Sequence, residues 1–300
     1  MSMTKDTIRD DQPGMPAETA EQVGFLGFLN RFLASKLTWF GLFLIFCFIV
    51  MAIAAPWIAP YNPVEQSLLN MNAAPSSDYW FGADGFGRDV LSRVIWGARP
   101  SMVLAMTAPV IACIAGTLVG TLAGFYQGWV DRIVGRITDM LISFPSLLLG
   151  ILVAAALGPG FSNVIAAVAF AFFPRFIRVA RASTMAVRNE PYIEAAFAVG
   201  QPSFVIILRH VLPNISGPII VVATLWIATA IRIEATLSFL GLGVQAPDPS
   251  WGNIIRDGLG GLLSSPWPVI TAGLAVTLCV LAFNIVGDAI RDALDPEHHE

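Results

Sequence analysis

The sequence predicts an all-α integral membrane protein with six transmembrane helices. Two observations carry this. Of its 300 residues, 56% are hydrophobic and 13% charged, with a mean hydropathy of +0.70. Soluble domains carry about 25% charged residues, and no single soluble core could hide this much apolar surface. Second, six stretches each supply close to the roughly 20 apolar residues that a bilayer core demands. They are Thr38–Ala59, Ser101–Gly124, Ile137–Leu157, Phe161–Ile177, Pro213–Leu240 and Trp267–Gly287.

In chain order, residues 1–37 read as a cytoplasmic tail and an interfacial helix. The tail bears Asp6, Asp10, Asp11, Glu18 and Glu21, unlike the short basic start of a cleaved signal peptide. Phe25, Leu26, Phe28, Leu29, Phe32 and Leu33 then recur at helical spacing beside Arg31 and Lys36, as in a helix lying on a membrane surface. Residues 38–59 form the first span and 60–100 an external segment. Residues 101–296 hold the remaining five spans, a polar loop at 188–214 and a second external loop at 241–266. Residues 297–300 are a tail. Both external segments are rich in Pro, Gly and Trp, the composition of turn-heavy ordered loops. The fourth span is the shortest, with Pro174 near its end.

Orientation follows from the basic residues in the connections. With the N-terminus in the cytoplasm, twelve arginines and lysines fall on that side and four outside, with Arg232 inside a span. Both termini are therefore expected inside. The net charge of −4 and the lack of a basic stripe interleaved with aromatics exclude a nucleic-acid partner. Cys47, Cys113 and Cys279 each fall in a different apolar run, without metal-site spacing, and read as small hydrophobes in helix packing.

The polar loop reads RNEPYIEAAFAVGQPSFVIILRHVLPN, from Arg188 to Asn214. Asn189 is a suitable N-cap, and Pro191 is tolerated in a first turn because its missing N–H would be unpaired there. Tyr192 to Val199 suit a helix, with Ala195, Ala196 and Ala198 among the best formers. Gly200 supplies a left-handed terminator, and Pro202 opens a second helix toward the fifth span. Ala195 and Ala196 keep the first helix thin, while Tyr192 and Phe197 stand proud of it. The residues alone leave two readings: a knob for a partner's groove, or a helix lying flat on the inner leaflet.

Glu-Ala-Ala, three residues, Gly200 and a later Leu-Pro resemble the EAA signature of permease subunits in bacterial ABC importers. The general pattern has isoleucine where this chain has His210. The run Arg209-His210-Val211-Leu212-Pro213-Asn214 is similar to the form in the dipeptide/oligopeptide/nickel branch. FGADGFGRDVLSRVIWGARPSM (Phe81–Met102), LSFLGLGVQAPDPSWGNII (Leu237–Ile255) and LAFNIVGDAIRDALDP (Leu281–Pro296) resemble further segments of that branch. With Asp139 and Phe144-Pro145-Ser146, the resemblance covers about Thr38 to Pro296 and points to the C-type permease subunit.

The resemblance implies a type I ABC importer permease fold with a cytoplasmic coupling helix. It implies as partners a second, different permease, two ATP-binding subunits, and a periplasmic or lipid-anchored substrate-binding protein, all around a chain seated in membrane lipid. No cofactor is expected in this chain, because ATP and Mg would be bound by the ATPases. Consistent with that, the sequence contains no GxxxxGK[ST] phosphate loop. Tyr192, Glu194, Ala195, Ala196, Phe197 and Gly200 are the implied ATPase-coupling residues. The blander reading of Glu194 is a first-turn carboxylate favoured by the helix dipole. Substrates associated with the family include peptides, nickel complexes, glutathione, opines and oligosaccharides.

Arg232, Glu234 and Asp139 are the candidate pathway or intramembrane polar groups. A charge at mid-bilayer costs about 2.5–3.5 kcal/mol on insertion scales. Glu234 fits the family pattern and is expected near the outer end of its span. Arg232 departs from the pattern; it is expected to pair with the partner permease or snorkel, with an anionic substrate group as the alternative. Asp139 is expected to pair with Arg136 three residues away. Gly116, Gly120 and Gly124 form a GxxxGxxxG stripe suited to close helix packing. His210 is expected to bond within its loop, and His298 and His299 to bind no metal. A stand-alone secondary transporter or channel would need paired broken helices in two related halves. An intramembrane enzyme would need a nucleophile–base pair or clustered ligands. The sequence displays neither.

Overall fold

The computed structural model describes residues 25–294. The acidic tail, Pro296, His298 and His299 lie outside the described residues. Helix α1 (Phe25–Ala34) leads into α2 (Lys36–Ile58), and a loop containing a short 3-10 turn at Leu68–Asn70 leads to α3 (Val90–Tyr126). Then come α4 (Gly128–Ile142), α5 (Ser146–Leu157), α6 (Phe161–Arg188) and α7 (Pro191–Ala198). The chain closes with α8 (Ser203–Ile206), α9 (Leu212–Phe239), α10 (Trp251–Leu259) and α11 (Trp267–Leu294).

Five helical stretches among the described residues are long and apolar enough to cross a bilayer: α2, α3, α6, Ser203–Phe239 and α11. The sixth expected span, Ile137–Leu157, is not one straight helix. It divides between α4 and α5, which meet at 93°. Pro145 explains the break, because the residue before a proline avoids helical backbone and the ring cannot continue an N–H ladder. Three other spans run past their expected ends, α11 by continuing from Gly287 to Leu294. Helix α3 begins at Val90, capped by the Asp89 carboxylate, which accepts from Ser92 N at 2.8 Å. Helix α6 continues from Ile177 to Arg188, so Arg178 and Arg181 stand on a helix and not in a loop.

The glycine stripe seats α3 on α6. A Cβ on Gly116 would lie 2.5 Å from Phe176 Cβ, one on Gly120 2.5 Å from the Ile177 carbonyl oxygen, and one on Gly124 2.7 Å from that of Arg181. The two backbones are as close as hydrogen side chains permit, which maximises dispersion contact where lipid offers no hydrophobic drive. Around this seam Leu104, Ala108, Ala112, Phe172, Phe176 and Ala180 form the main core. A second core joins α2, α3, α10 and α11 around Trp251. That indole is fully buried, donates to the Val94 carbonyl at 3.0 Å and meets Phe48 edge-on at 5.6 Å.

Between α8 and α9 the helix widens into a π turn at Ile207–Val211, where Leu212 N bonds back to Ile207 O. Pro213 accounts for it: in an α-helix its ring would strike the carbonyl four residues earlier. The rod therefore continues unbroken from Ser203 to Phe239, although α9 by itself was expected to begin at the proline.

Replacing Gly120 by leucine should separate α3 from α6. We expect loss of most folded protein from detergent extracts, read by size-exclusion chromatography, whereas leucine at Gly217, whose Cβ would meet nothing within 4 Å, should leave yield unchanged.

Candidate functional site

Helix α7 takes the place expected for the loop helix, with one shift in its cap. Glu190, extended at φ −75° and ψ 141°, precedes Pro191 at the first helical position; Asn189 ends α6 instead. The far end closes as a Schellman motif: Gly200 N donates to Phe197 O at 3.0 Å and Gln201 N to Ala196 O at 3.1 Å. This requires Gly200 at φ +77°, a conformation that strains other residues even though a Cβ there would meet nothing within 4 Å. His210 bonds within the loop, its Nε2 lying 3.2 Å from Gln201 Oε1.

The residues of α7 divide by face. Ile193 and Ala196 are buried in the main core with Ile206 and Val211. Ala196 is thus packed on its own chain, a correction to its expected place on the contact surface. Phe197 is 41% exposed, yet its ring stacks on Phe125 at 5.7 Å, so it does not stand free as expected. Glu194, Ala195 and Ala198 make the outward face, flanked by Tyr192 and Val199, all exposed. Glu194 has no side-chain hydrogen bond among the described residues. Partial burial, and then the Glu190 carboxylate, push the Tyr192 phenol above its ordinary pKa, so it stays neutral at physiological pH. The product is a short, smooth, alanine-faced helix held from behind by two buried side chains and one aromatic stack.

The intramembrane polar residues are not gathered at one place. Glu234 is buried, and its carboxylate accepts from Ser101 Oγ and Ser238 Oγ, each at 2.8 Å. It ties the C-terminal part of α9 to α3. Arg232, two residues away, is exposed and donates to Thr229 Oγ1 at 3.0 Å. Asp139 pairs with Arg178 at 2.7 Å, not with Arg136 as helical spacing suggested. Both side chains of that pair are more than half exposed, so it contributes little to stability. Asp131 receives both a short contact from Arg181 Nε and a bond from its Nη2 at 2.8 Å, a two-pronged pair that fixes α4 across α6. The Arg175 guanidinium lies 5.3 Å from the Trp226 ring centre at the seam of α6 and α9.

Sequence reasoning missed a buried charge cluster at the opposite end from α7. Asp84 folds its own turn by accepting from Phe86 N at 2.9 Å and Arg88 N at 3.0 Å. Arg88 then binds Asp84 at 2.7 Å and Asp257 at 3.2 Å, while Arg93 lies 3.4 Å from Asp84 and donates to the Pro63 carbonyl at 3.2 Å. This joins the loop before α3 to α10. The signal was present as three charges inside the segment Phe81–Met102 and a fourth two residues past the segment Leu237–Ile255, but nothing local to either pairs Arg88 with Asp257. Beside it a cavity of about 870 Å3 opens among Tyr61, Trp96, Arg99, Phe161 and Asp248.

Residues 116–298 match the family described as binding-protein-dependent transport system inner membrane component, and residues 26–75 match the N-terminal TM domain of oligopeptide transport permease C. This chain belongs to the ABC importer permeases. It is 43% identical over 263 residues to the dipeptide transport system permease protein DppC of Alkalihalophilus pseudofirmus, covering 88% of this chain and 86% of that one. It is 42% identical over 271 residues to the glutathione transport system permease protein GsiD of Escherichia coli O157:H7, covering 90% and 89%. An inward-facing structure of the MetNI methionine ABC transporter shares the fold, with a TM-score of 0.54 and 18% identity over 68% of this chain and 97% of that one. The permease is thus a multi-pass membrane component of an ABC importer with the type I importer fold, a transport subunit and not an enzyme. It works with ATPase and substrate-binding partners, and the ATPase is a separate subunit.

Truncating Arg88 to methionine would leave Asp84 and Asp257 short of a partner in a buried place. We expect a loss of about 3–5 kcal/mol, seen as a lower thermal midpoint of the purified permease complex. Methionine at exposed Arg232 should shift stability by less than about 0.5 kcal/mol.

Proposed function

We propose that this permease forms half of the pathway of an ATP-driven importer of small peptides and that α7 is its contact with the ATPase. The observation that carries this reading is the two-sided build of α7. Ile193, Ala196 and Phe197 bind it to the spans, while Glu194, Ala195, Ala198 and Tyr192 face outward with no covering from the described chain. A smooth helix seated in a groove and fastened to the bundle can pass the groove's movement to the spans. The ATPase can shift the inward–outward equilibrium only by the difference in how its own two states hold α7. Glu194 would supply the polar contact and Gly200 the turn that sets the helix angle. ATP and Mg would be bound by two ATPase subunits.

The remaining half of the pathway would come from a second, different permease, with a periplasmic or lipid-anchored binding protein delivering substrate. The excess of arginine and lysine on the α7 side supports a cytoplasmic place for that side and for both termini. Dipeptides and glutathione, the substrates named for the relatives, are the sizes of solute we assign. Arg232 and the Arg175–Trp226 pair would face the partner permease or the pathway.

Two substitutions test the coupling role in vesicles holding the whole transporter. Alanine at Phe197 removes the stack on Phe125 without altering the outward face. It should leave the ATPase bound but lower uptake roughly tenfold or more, a loss of about 1.4 kcal/mol or more in coupling. At Gly200, alanine should cost about 1 kcal/mol and valine more, because a branched side chain tolerates positive φ worst. Uptake should fall in that order while the protein still inserts. Native uptake in both the Phe197 and the Gly200→Val variants would refute the role given to α7.

A further inference from the structure

Helix α4 is built inside out for a surface helix in water. Asp131 and Thr138 turn toward the protein, Asp131 binding Arg181 and Thr138 being buried, while Asp139, more than half exposed, reaches Arg178 from the edge of that face. Its opposite face is a stripe at helical spacing of Trp129, Ile133, Ile137 and Met140, which are 73%, 38%, 53% and 66% exposed. Such a face needs an apolar neighbour.

Three features identify the neighbour. The first is direction: α4 meets α5 at 93°, so with α5 entering the bilayer α4 runs along its surface. Its two ion pairs agree, being eight residues apart on α4 but only three apart on α6, which means that α4 crosses α6 and does not run beside it. The second is depth. Arg178 and Arg181 lie about 26–30 Å along α6 from Phe161, which is one hydrocarbon thickness. The crossing therefore falls at the boundary of the apolar layer. The third is chemistry. Arg132 and Arg136 are exposed along one flank of the stripe, and past the bend Leu148 and Leu152 of α5 extend the same apolar exterior into the membrane. A basic flank beside an apolar face with a tryptophan is the pattern of a helix sunk into an anionic lipid interface.

We propose that α4 lies in the lipid interface on the α7 side of the membrane, with Trp129, Ile133, Ile137 and Met140 among the upper acyl chains and Arg132 and Arg136 binding the phosphates of anionic phospholipids. The placement has a functional edge. Gln127, at φ +54°, joins α4 directly to the end of α3, where Phe125 stacks on Phe197 of α7. The lipid-bound helix and α7 are thus fastened to the same corner.

The test places the photo-crosslinking residue benzoylphenylalanine at Trp129 and, separately, at Met140. The complete transporter is irradiated in vesicles of phosphatidylethanolamine and phosphatidylglycerol, and adducts are identified by mass. Phospholipid adducts are expected at both positions. At Trp129 phosphatidylglycerol should be enriched over its bulk share by roughly fivefold, the scale for one arginine at an anionic surface. In the R132Q/R136Q double variant that enrichment should vanish while the lipid adduct persists. Crosslinks to another polypeptide at both positions, or no phospholipid adduct, would overturn the proposal. Phospholipid adducts without headgroup enrichment would overturn the role of the two arginines. Every readout is a covalent adduct, so the result is independent of whether α7 couples transport.

Discussion

The approach of α3 to α6 is the constraint from which the rest of this permease follows. Three glycines four residues apart let the two backbones touch over a little more than two turns. Close contact fixes the rotation of α6 about its axis, and that rotation sends Arg178 and Arg181 toward α4. It also fixes where α3 ends, and hence where Phe125 offers its ring to α7. A lipid-facing bundle gains no hydrophobic free energy from joining apolar helices, so shape at this one seam does what burial does in water.

The two ends of the bundle hold their charges differently. At the end away from α7, Arg88, Arg93 and Asp84 are almost wholly enclosed, and Asp257 nearly so, which makes the loop before α3 and helix α10 a single rigid cap. At the α7 end, the Arg178–Asp139 pair is open to its surroundings and cheap to break. Buried pairs specify one arrangement, and exposed pairs permit several of similar free energy.

Local chemistry was legible in the sequence, and distant pairing was not. Pro191 and Gly200 announced the limits of α7 because proline and glycine restrict backbone geometry wherever they stand. The glycine stripe announced a close helix contact, though not that α6 would be the partner. Ala196 was misplaced because an alanine fits equally on a buried or an exposed face, and only Ile193 one turn earlier hinted which way the helix would lie. Asp139 was given to Arg136 by spacing, when the choice between Arg136 and Arg178 depended on a bend at Pro145 that hydropathy averages away. Arg88 and Asp257 are 169 residues apart, and no periodicity links them.

The unbroken passage from Ser203 through the π turn to Phe239 has a mechanical consequence. At 37 residues it is a stiff rod about 55 Å long, jointed at Gly200 and keyed to α3 by the Ser101–Glu234 bond near its far end. A rod without an elastic joint does not absorb work; it converts angle into displacement. A tilt of about 5° at the Gly200 pivot becomes about 5 Å at the other end of such a length. Movements too small to disturb one helix contact thus become, across the membrane, larger than a water molecule is wide.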